Sequence, residues 1–258
     1  FIGDEKFLVF LGDNIIQKSI SDYAVNFENS DAKASILLCE VDDPSRFGIV
    51  DIKDEKIISI MEKPSNPPTN YAVTGIYFLS PVIFDIIDRL KPSWRNELEI
   101  TDALHMLLKE NYKITYNMIT DYWKDTGTPD DIIHANEAIL KNTKPYFGGR
   151  KDSTVIIDKN TMIGENTELS NNTKIFGPVI IGKNCIIQSS KIGSNTSIGD
   201  NCKIYDCEIS ESIIMQDCTI QGKMKITKSI IASNSNILLE DHRDNKIFLL
   251  GEGTRIVL

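Results

Sequence analysis

The 258-residue chain is poor in several residues that would commit it to a function. It has three His and five Cys, with no CxxC spacing and no His near a Cys pair. A metal cluster built on thiolates or imidazoles is therefore not expected. Cys39, Cys185, Cys202, Cys207 and Cys218 read as buried or half-buried thiols of a reducing cytosol, and the protein reads as cytoplasmic. No run of 18 apolar residues occurs, so no membrane partner is expected, and nothing reads as a signal peptide. Basic residues are in the minority: Lys plus Arg number 28 against 37 Asp plus Glu, a net charge of −9. With no Lys/Arg run, the acidic chain reads as a poor nucleic-acid binder and no nucleic-acid partner is expected, because phosphate contacts supply most of that affinity. What is present, 41% hydrophobic and 25% charged residues, suits a folded protein of one large or two modest domains.

The two parts of the chain follow different periods. Residues 1–143 alternate strand-like and helix-like stretches, which predicts an α/β layered domain. Phe7–Leu11 is continuously apolar, as for a strand buried on both faces of a mainly parallel sheet, and Gly12-Asp13-Asn14 ends it. Strands are also expected over Ser35–Val41, Ile57–Met61 and Ala72–Leu79. Thr128-Pro129-Asp130-Asp131 is a helix start, with a Thr cap, Pro in the first turn and early acids. Residues 144–153, with Pro145 and Gly148-Gly149, read as a linker.

From Thr154 onward the period is six. Ile157, Ile163, Leu169, Ile175, Ile181 and Ile187 form one aliphatic column. Val155, Thr161, Thr167, Thr173, Val179 and Cys185 form a second, smaller one, two residues earlier in each repeat. The register slips by one and resumes at Ile192, Ile198 and Ile204. Six residues per strand and three strands per coil predict a hexapeptide-repeat solenoid over 154–258. Lys246–Leu258, around Gly-Glu-Gly-Thr, looks like a hairpin capping its open end.

Candidate chemistry sits at the ends of the first-domain strands, where ligands bind in open α/β sheets. Asp13 and Asp125 are two such carboxylates and could share Mg²⁺; alternatively they are a turn residue and a cap. Lys63, between Glu62 and Pro64, could be a point charge for a phosphate or one half of a solvated surface pair. His105 and His134 lie on amphipathic helices and read as structural; His242 lies in a charged turn.

Taken together, Leu11-Gly12-Asp13-Asn14, Arg46-Phe47-Gly48-Ile49-Val50, Glu62-Lys63-Pro64, Asn70–Tyr77, Glu97–Asp102 and Trp123–Gly127 resemble the motifs of sugar-1-phosphate nucleotidylyltransferases, in the same order. The likeness is greatest to long-form glucose-1-phosphate thymidylyltransferases and runs over essentially all of the chain. It implies an incomplete Rossmann-like nucleotidyltransferase domain followed by a left-handed β-helix. It implies dTTP and glucose-1-phosphate as substrates and Mg²⁺ as cofactor; separately, a flat face of stacked solenoid strands is a natural self-association surface, so a homo-oligomer is expected. It further implies that Asp13 and Asp125 hold the metal and that Lys63 holds the sugar phosphate. Glu62, Gly48, Val73 and Gly75 would line the hexose pocket. Arg95 would add positive charge near the phosphates, and Leu11 and Gly12 would pack beside the nucleotide-sugar.

The family opens with a Gly-rich nucleotide loop carrying an Arg and a later Lys, which this sequence, beginning Phe1-Ile2-Gly3, does not contain. It therefore reads as a fragment whose front part is absent, and a truncated, non-catalytic oligomerising subunit is the rival reading. A uridylyl- or guanylyltransferase acting on another sugar-1-phosphate is a second. A hexapeptide-repeat acyltransferase is a third, disfavoured because residues 154–240 hold no His to act as general base.

Overall fold

The computed structural model describes residues 2–239, 245–246 and 248–257; His242 lies outside them. The chain divides into two compact units, 1–125 and 126–258.

The first unit contains β1 (Phe7–Phe10), β2 (Asn14–Ile16), α1 (Ser21–Glu28), β3 (Ala34–Glu40), β4 (Gly48–Lys53), β5 (Lys56–Glu62), β6 (Tyr71–Leu79), α2 (Val82–Ile87), α3 (Ile100–Lys109), β7 (Ile114–Met118) and β8 (Trp123–Asp125). The main sheet runs β5-β4-β6-β3-β7, with β1 also on β6. Strands β3 and β6 are mostly apolar and buried because both of their faces are covered. Ile36, Leu38, Val73, Tyr77 and Leu79 join Ile83 and Ile86 of α2 and Leu104 and Leu107 of α3 in one core. Leu37, Ile76 and Phe78 point the other way, to Phe27 of α1. The alternation is the period of two of a pleated strand.

Two expectations for this unit are corrected. The sheet is mixed: β3 and β7 are parallel, whereas β1–β6, β3–β6, β4–β5 and β4–β6 are antiparallel. Among the described residues strand β1 pairs with β6 alone, and it is not buried on both faces. Its side chains alternate half-buried and exposed, with Leu8 and Phe10 more than 40% accessible.

The second unit begins with α4 (Pro129–Leu140), whose Thr128 cap accepts from the Asp131 N–H. Asn136 accepts from Ser197 Oγ at 2.5 Å and donates to the Asn195 carbonyl at 3.1 Å. This helix thus packs with the solenoid and lies in the second compact unit, ahead of the linker expected over 144–153.

The solenoid stacks parallel strands on three faces, and the hexad columns form its core. Leu169, Ile175, Ile187, Ile192, Ile204, Ile209, Ile220 and Ile226 are at most 2% exposed. The smaller column is buried too, and its hydroxyls join coil to coil: Thr167 Oγ1 donates to the Gly182 carbonyl (2.7 Å) and accepts from the Cys185 N–H (3.0 Å). At one corner Asn166, Asn184, Asn201 and Asn234 all adopt left-handed backbone, which Asn tolerates best after Gly. Side chains hydrogen-bond along the corner, Asn166 to Asn184 at 3.3 Å, Asn184 to Asn201 at 3.2 Å and Asn201 to the left-handed Asp217 at 2.9 Å.

The register slip has a local cause. Thr161 pairs with Val179, eighteen residues on, but Val179 pairs with Thr196, seventeen on. The corner made by left-handed Asn171 and Asn172 in one coil is made by Ser189 alone in the next.

The hairpin expected over Lys246–Leu258 is also corrected. Leu249–Leu250 runs parallel to Ile230–Ile231, and Arg255–Val257 parallel to Asn236–Leu238, so the segment is a further coil. Gly251-Glu252-Gly253-Thr254 is another solenoid corner and not a chain reversal. Thr254 Oγ1 donates to the Gly251 carbonyl as Ser235 Oγ does to Ala232, both at 2.7 Å. Gly253 (φ +70°) repeats the left-handed Asn234 (φ +60°).

Ile187 is fully buried in this core. Ile187→Ala should cost about 2–5 kcal/mol, because neighbouring coils cannot collapse into the hole without losing register. Chemical denaturation checks this, and a loss below about 1 kcal/mol would contradict the tight core described.

Candidate active site

The site gathers where β1, β2, β5, β6 and β8 meet. Beyond β1 the chain stays on β6 for one more bond, from the Leu11 N–H to the Gly75 carbonyl (2.8 Å). It then turns through Asp13 into β2. The β2–β8 pair sets Asn14 opposite Asp125, so Asp13 and Asp125 reach the same place from separate parts of the chain. Strand β6 contributes Val73, Gly75 and Tyr77, successive residues of one face. The β4–β5 hairpin sets Gly48 opposite Glu62. The next residue, Lys63, donates its N–H to the Phe47 carbonyl (3.0 Å) and adopts φ +41° immediately before Pro64. A left-handed residue ahead of proline is unusual, and the hairpin holds it there. Together these residues line a cavity of about 250 Å³.

The electrostatics are acidic with local positive charge. Glu62 Oε2 accepts from Thr101 Oγ1 at 2.9 Å. Burial chiefly, with nearby Glu99 adding, holds the Glu62 carboxyl above its ordinary value; the Thr101 hydrogen bond, Lys63 and Arg95 oppose the shift. Burial also raises the Tyr77 phenol, with smaller contributions from Glu62 and Asp13.

Of the residues singled out in the sequence, Leu11, Asp13, Gly48, Glu62, Lys63, Val73, Gly75 and Asp125 line the cavity. Gly12 and Arg95 do not. Arg95 is engaged by Glu97 (2.9 Å) and Glu99 (3.2 Å) and lies 3.7 Å from Glu62. His105 accepts from the Ile60 N–H at 3.4 Å, the structural part expected of it. The sequence reading missed Asn14, Tyr77, Glu99 and Thr101 as lining residues, although each lies within a quoted motif. Trp123 also lines the cavity, with Phe47 packed edge-on at 5.7 Å.

The nucleotidyl transferase family matches residues 1–142. Over 99% of its length the chain is 35% identical to the glucose-1-phosphate thymidylyltransferase of Streptomyces antibioticus, covering 72% of that protein. The chain belongs to the nucleotidyl transferase family. A second model, the GMPPB C-terminal domain, matches residues 175–256 of this nucleotidyl transferase family member. The low-salt glycan biosynthesis nucleotidyltransferase Agl11 of Haloferax volcanii is 46% identical over 55% of the chain, and the match spans only 40% of that relative. The bifunctional protein GlmU of Methanococcus aeolicus is 41% identical over 61% of the chain and 37% of its own length. A solved Bacillus anthracis structure, provisionally described as a glucose-1-phosphate thymidylyltransferase in complex with sucrose, is 44% identical. It superposes with a TM-score of 0.50 over 57% of this chain and 58% of its own.

The raised Glu62 value has a pH signature. A carboxyl that holds its proton more tightly folded than unfolded stabilises most below the ordinary 4.5 of a glutamate. That stability is lost as pH rises through the higher folded value. Glu62→Gln should therefore gain thermal stability relative to the parent between pH 4.5 and neutrality. A difference in melting temperature that does not change with pH would contradict this.

Proposed function

We propose that this family member transfers a thymidylyl group from dTTP to glucose-1-phosphate, giving dTDP-glucose and pyrophosphate. The observation that carries the reading is the meeting of Asp13 and Asp125 with Lys63 and the Gly48–Glu62 pair around one cavity. The Streptomyces relative that aligns along nearly the whole chain supports the choice of base and sugar.

In the reaction an oxygen of the sugar phosphate attacks the α-phosphorus of the nucleotide in line, and pyrophosphate leaves. The protein must hold two anions that repel each other, so positioning and charge supply most of the catalysis. Asp13 and Asp125 would hold Mg²⁺. Among the described residues no group of three or more His, Cys, Asp or Glu is arranged for a metal. Two carboxylates that leave the other positions to phosphate oxygens and water suit this ion. Held there, the ion would supply Lewis-acid neutralisation of phosphate charge. Lys63, fixed by the hairpin, offers an ammonium to the sugar phosphate. Glu62 and the backbone at Gly48, Val73 and Gly75 face the hexose hydroxyls, and Leu11 packs against the sugar. Arg95 holds the Glu62–Glu99 side of the wall, and must leave those carboxylates before it reaches a phosphate.

A second reading, another base and sugar-1-phosphate, is favoured by the strong Agl11 and GlmU likenesses over the catalytic segment. Self-association through the solenoid is also proposed. The outward column of one face holds Tyr146, Met162, Ile180, Ile213, Ile230 and Leu249, and α4 covers it at Ser197, so the ends of the column are the parts left for a second copy.

Pyrophosphate release by the full-length protein decides between the substrates. The highest kcat/KM is expected with dTTP and glucose-1-phosphate. Asp13→Asn and Asp125→Asn should each lower turnover about a hundredfold or more with folding intact. Parental turnover in both variants would overturn the site assignment. A clear preference for another nucleotide would move the protein to the second reading.

A further inference from the structure

One buried side chain ties the proposed metal ligand to the rest of the site without a role of its own so far. Asn14 is 8% exposed. Its Oδ1 accepts from the Gly75 backbone N–H at 3.1 Å and from the Trp123 indole Nε1–H at 2.8 Å. Its Nδ2 donates to Asp13 Oδ1 at 2.9 Å. The first two partners can only donate, and neither turns freely: one is main chain inside β6, the other an indole. Both require the amide oxygen, so the NH₂ must face the opposite way, toward Asp13. The direction of the Asp13 contact is thus set by strand β6 and Trp123. Gly75 makes the arrangement possible, since a Cβ there would overlap the Asn14 amide. Asn14 is also the cross-strand partner of Asp125.

We infer that Asn14 is a positioning residue, which fixes the Asp13 carboxylate against the Trp123 indole and acts on turnover through Asp13. The inference rests on the reading of Asp13 as a metal ligand, and goes beyond it by naming what holds that ligand in place.

The test uses Asn14→Asp and Asn14→Ala in a Trp94→Phe background. Trp94 is 81% exposed, and its removal leaves Trp123 as the sole tryptophan. Asn14→Asp keeps an oxygen for the Gly75 and Trp123 donors but replaces the N–H facing Asp13 by a second oxygen. It should lower kcat about ten- to hundredfold, the usual cost of losing a partner that orients a ligand. KM for glucose-1-phosphate should stay within about threefold, and Trp123 emission should stay at the parental wavelength. Asn14→Ala should lose kcat similarly and also shift Trp123 emission to the red. Combined with Asp13→Asn, Asn14→Ala should slow the residual rate no further, because two residues that act as one unit are not additive.

Parental kcat in Asn14→Asp, or the same proportional loss from Asn14→Ala with and without Asp13, overturns the inference. If Asp13→Asn itself turns over at the parental rate, the reading of Asp13 fails and this inference with it. If Asp13→Asn is slow and Asn14→Asp is not, only the inference fails. Asn14→Ser, which loses the same donor without adding charge, decides the matter if the aspartate variant does not fold.

Discussion

Strand β6 is the member on which the first unit depends. It pairs with β1, β3 and β4 and is buried along nearly its whole length, so it cannot shift without breaking several ladders. One of its faces, through Ile76 and Phe78, packs toward α1. The other carries Val73, Gly75 and Tyr77, and it is this face that borders the cavity. Gly75 omits a side chain in an otherwise filled row, and Asn14 and Leu11 occupy the space this leaves. A rigid central strand with one missing side chain therefore locates the loop that carries Asp13.

The solenoid is built on a different constraint. Its coils are in-register copies, so each needs an aliphatic residue inside, a small residue beside it and a corner residue that accepts left-handed backbone. Asn supplies that corner at Asn166, Asn184, Asn201 and Asn234. Cys185, Cys202 and Cys218 behave as small core residues, each thiol facing a carbonyl of the following coil: Gly199, Met215 and Ala232. Buried Thr and Ser are tolerated for the same reason, because the stacked backbone always offers a partner within reach.

Charge explains how an acidic chain can serve anionic substrates. The cavity wall gathers Glu62 and Glu99 with Asp13 and Asp125. Arg95 offsets part of this from behind through Glu62, Glu97 and Glu99. Lys63 and Arg46 supply positive charge within the lining. Such a site suits a substrate that brings hydroxyls to the glutamates and phosphates to the cations. Net charge alone argues against a nucleic-acid surface but does not show this local arrangement.

The amino-acid sequence by itself determined the features that rest on local periodicity. These are the hexad columns, the Thr128 cap and the strands around Glu62 and Val73. Each follows from short-range rules about which residues suit a helix start, a pleat or a solenoid corner. The site motifs, by contrast, were legible only through their resemblance to a family. Only the tertiary structure decided which strands pair, and in which direction. It paired β1 with β6 in a mixed sheet, placed helix α4 with the solenoid, and made the last segment a further coil. It alone brought Asn14 to Gly75 and Trp123, and Thr101 to Glu62, across wide separations in the chain. A strand's own residues state that it will be buried. They do not state its neighbour, because pairing energy belongs to both partners, and a hydrogen bond between distant residues leaves no period in the chain.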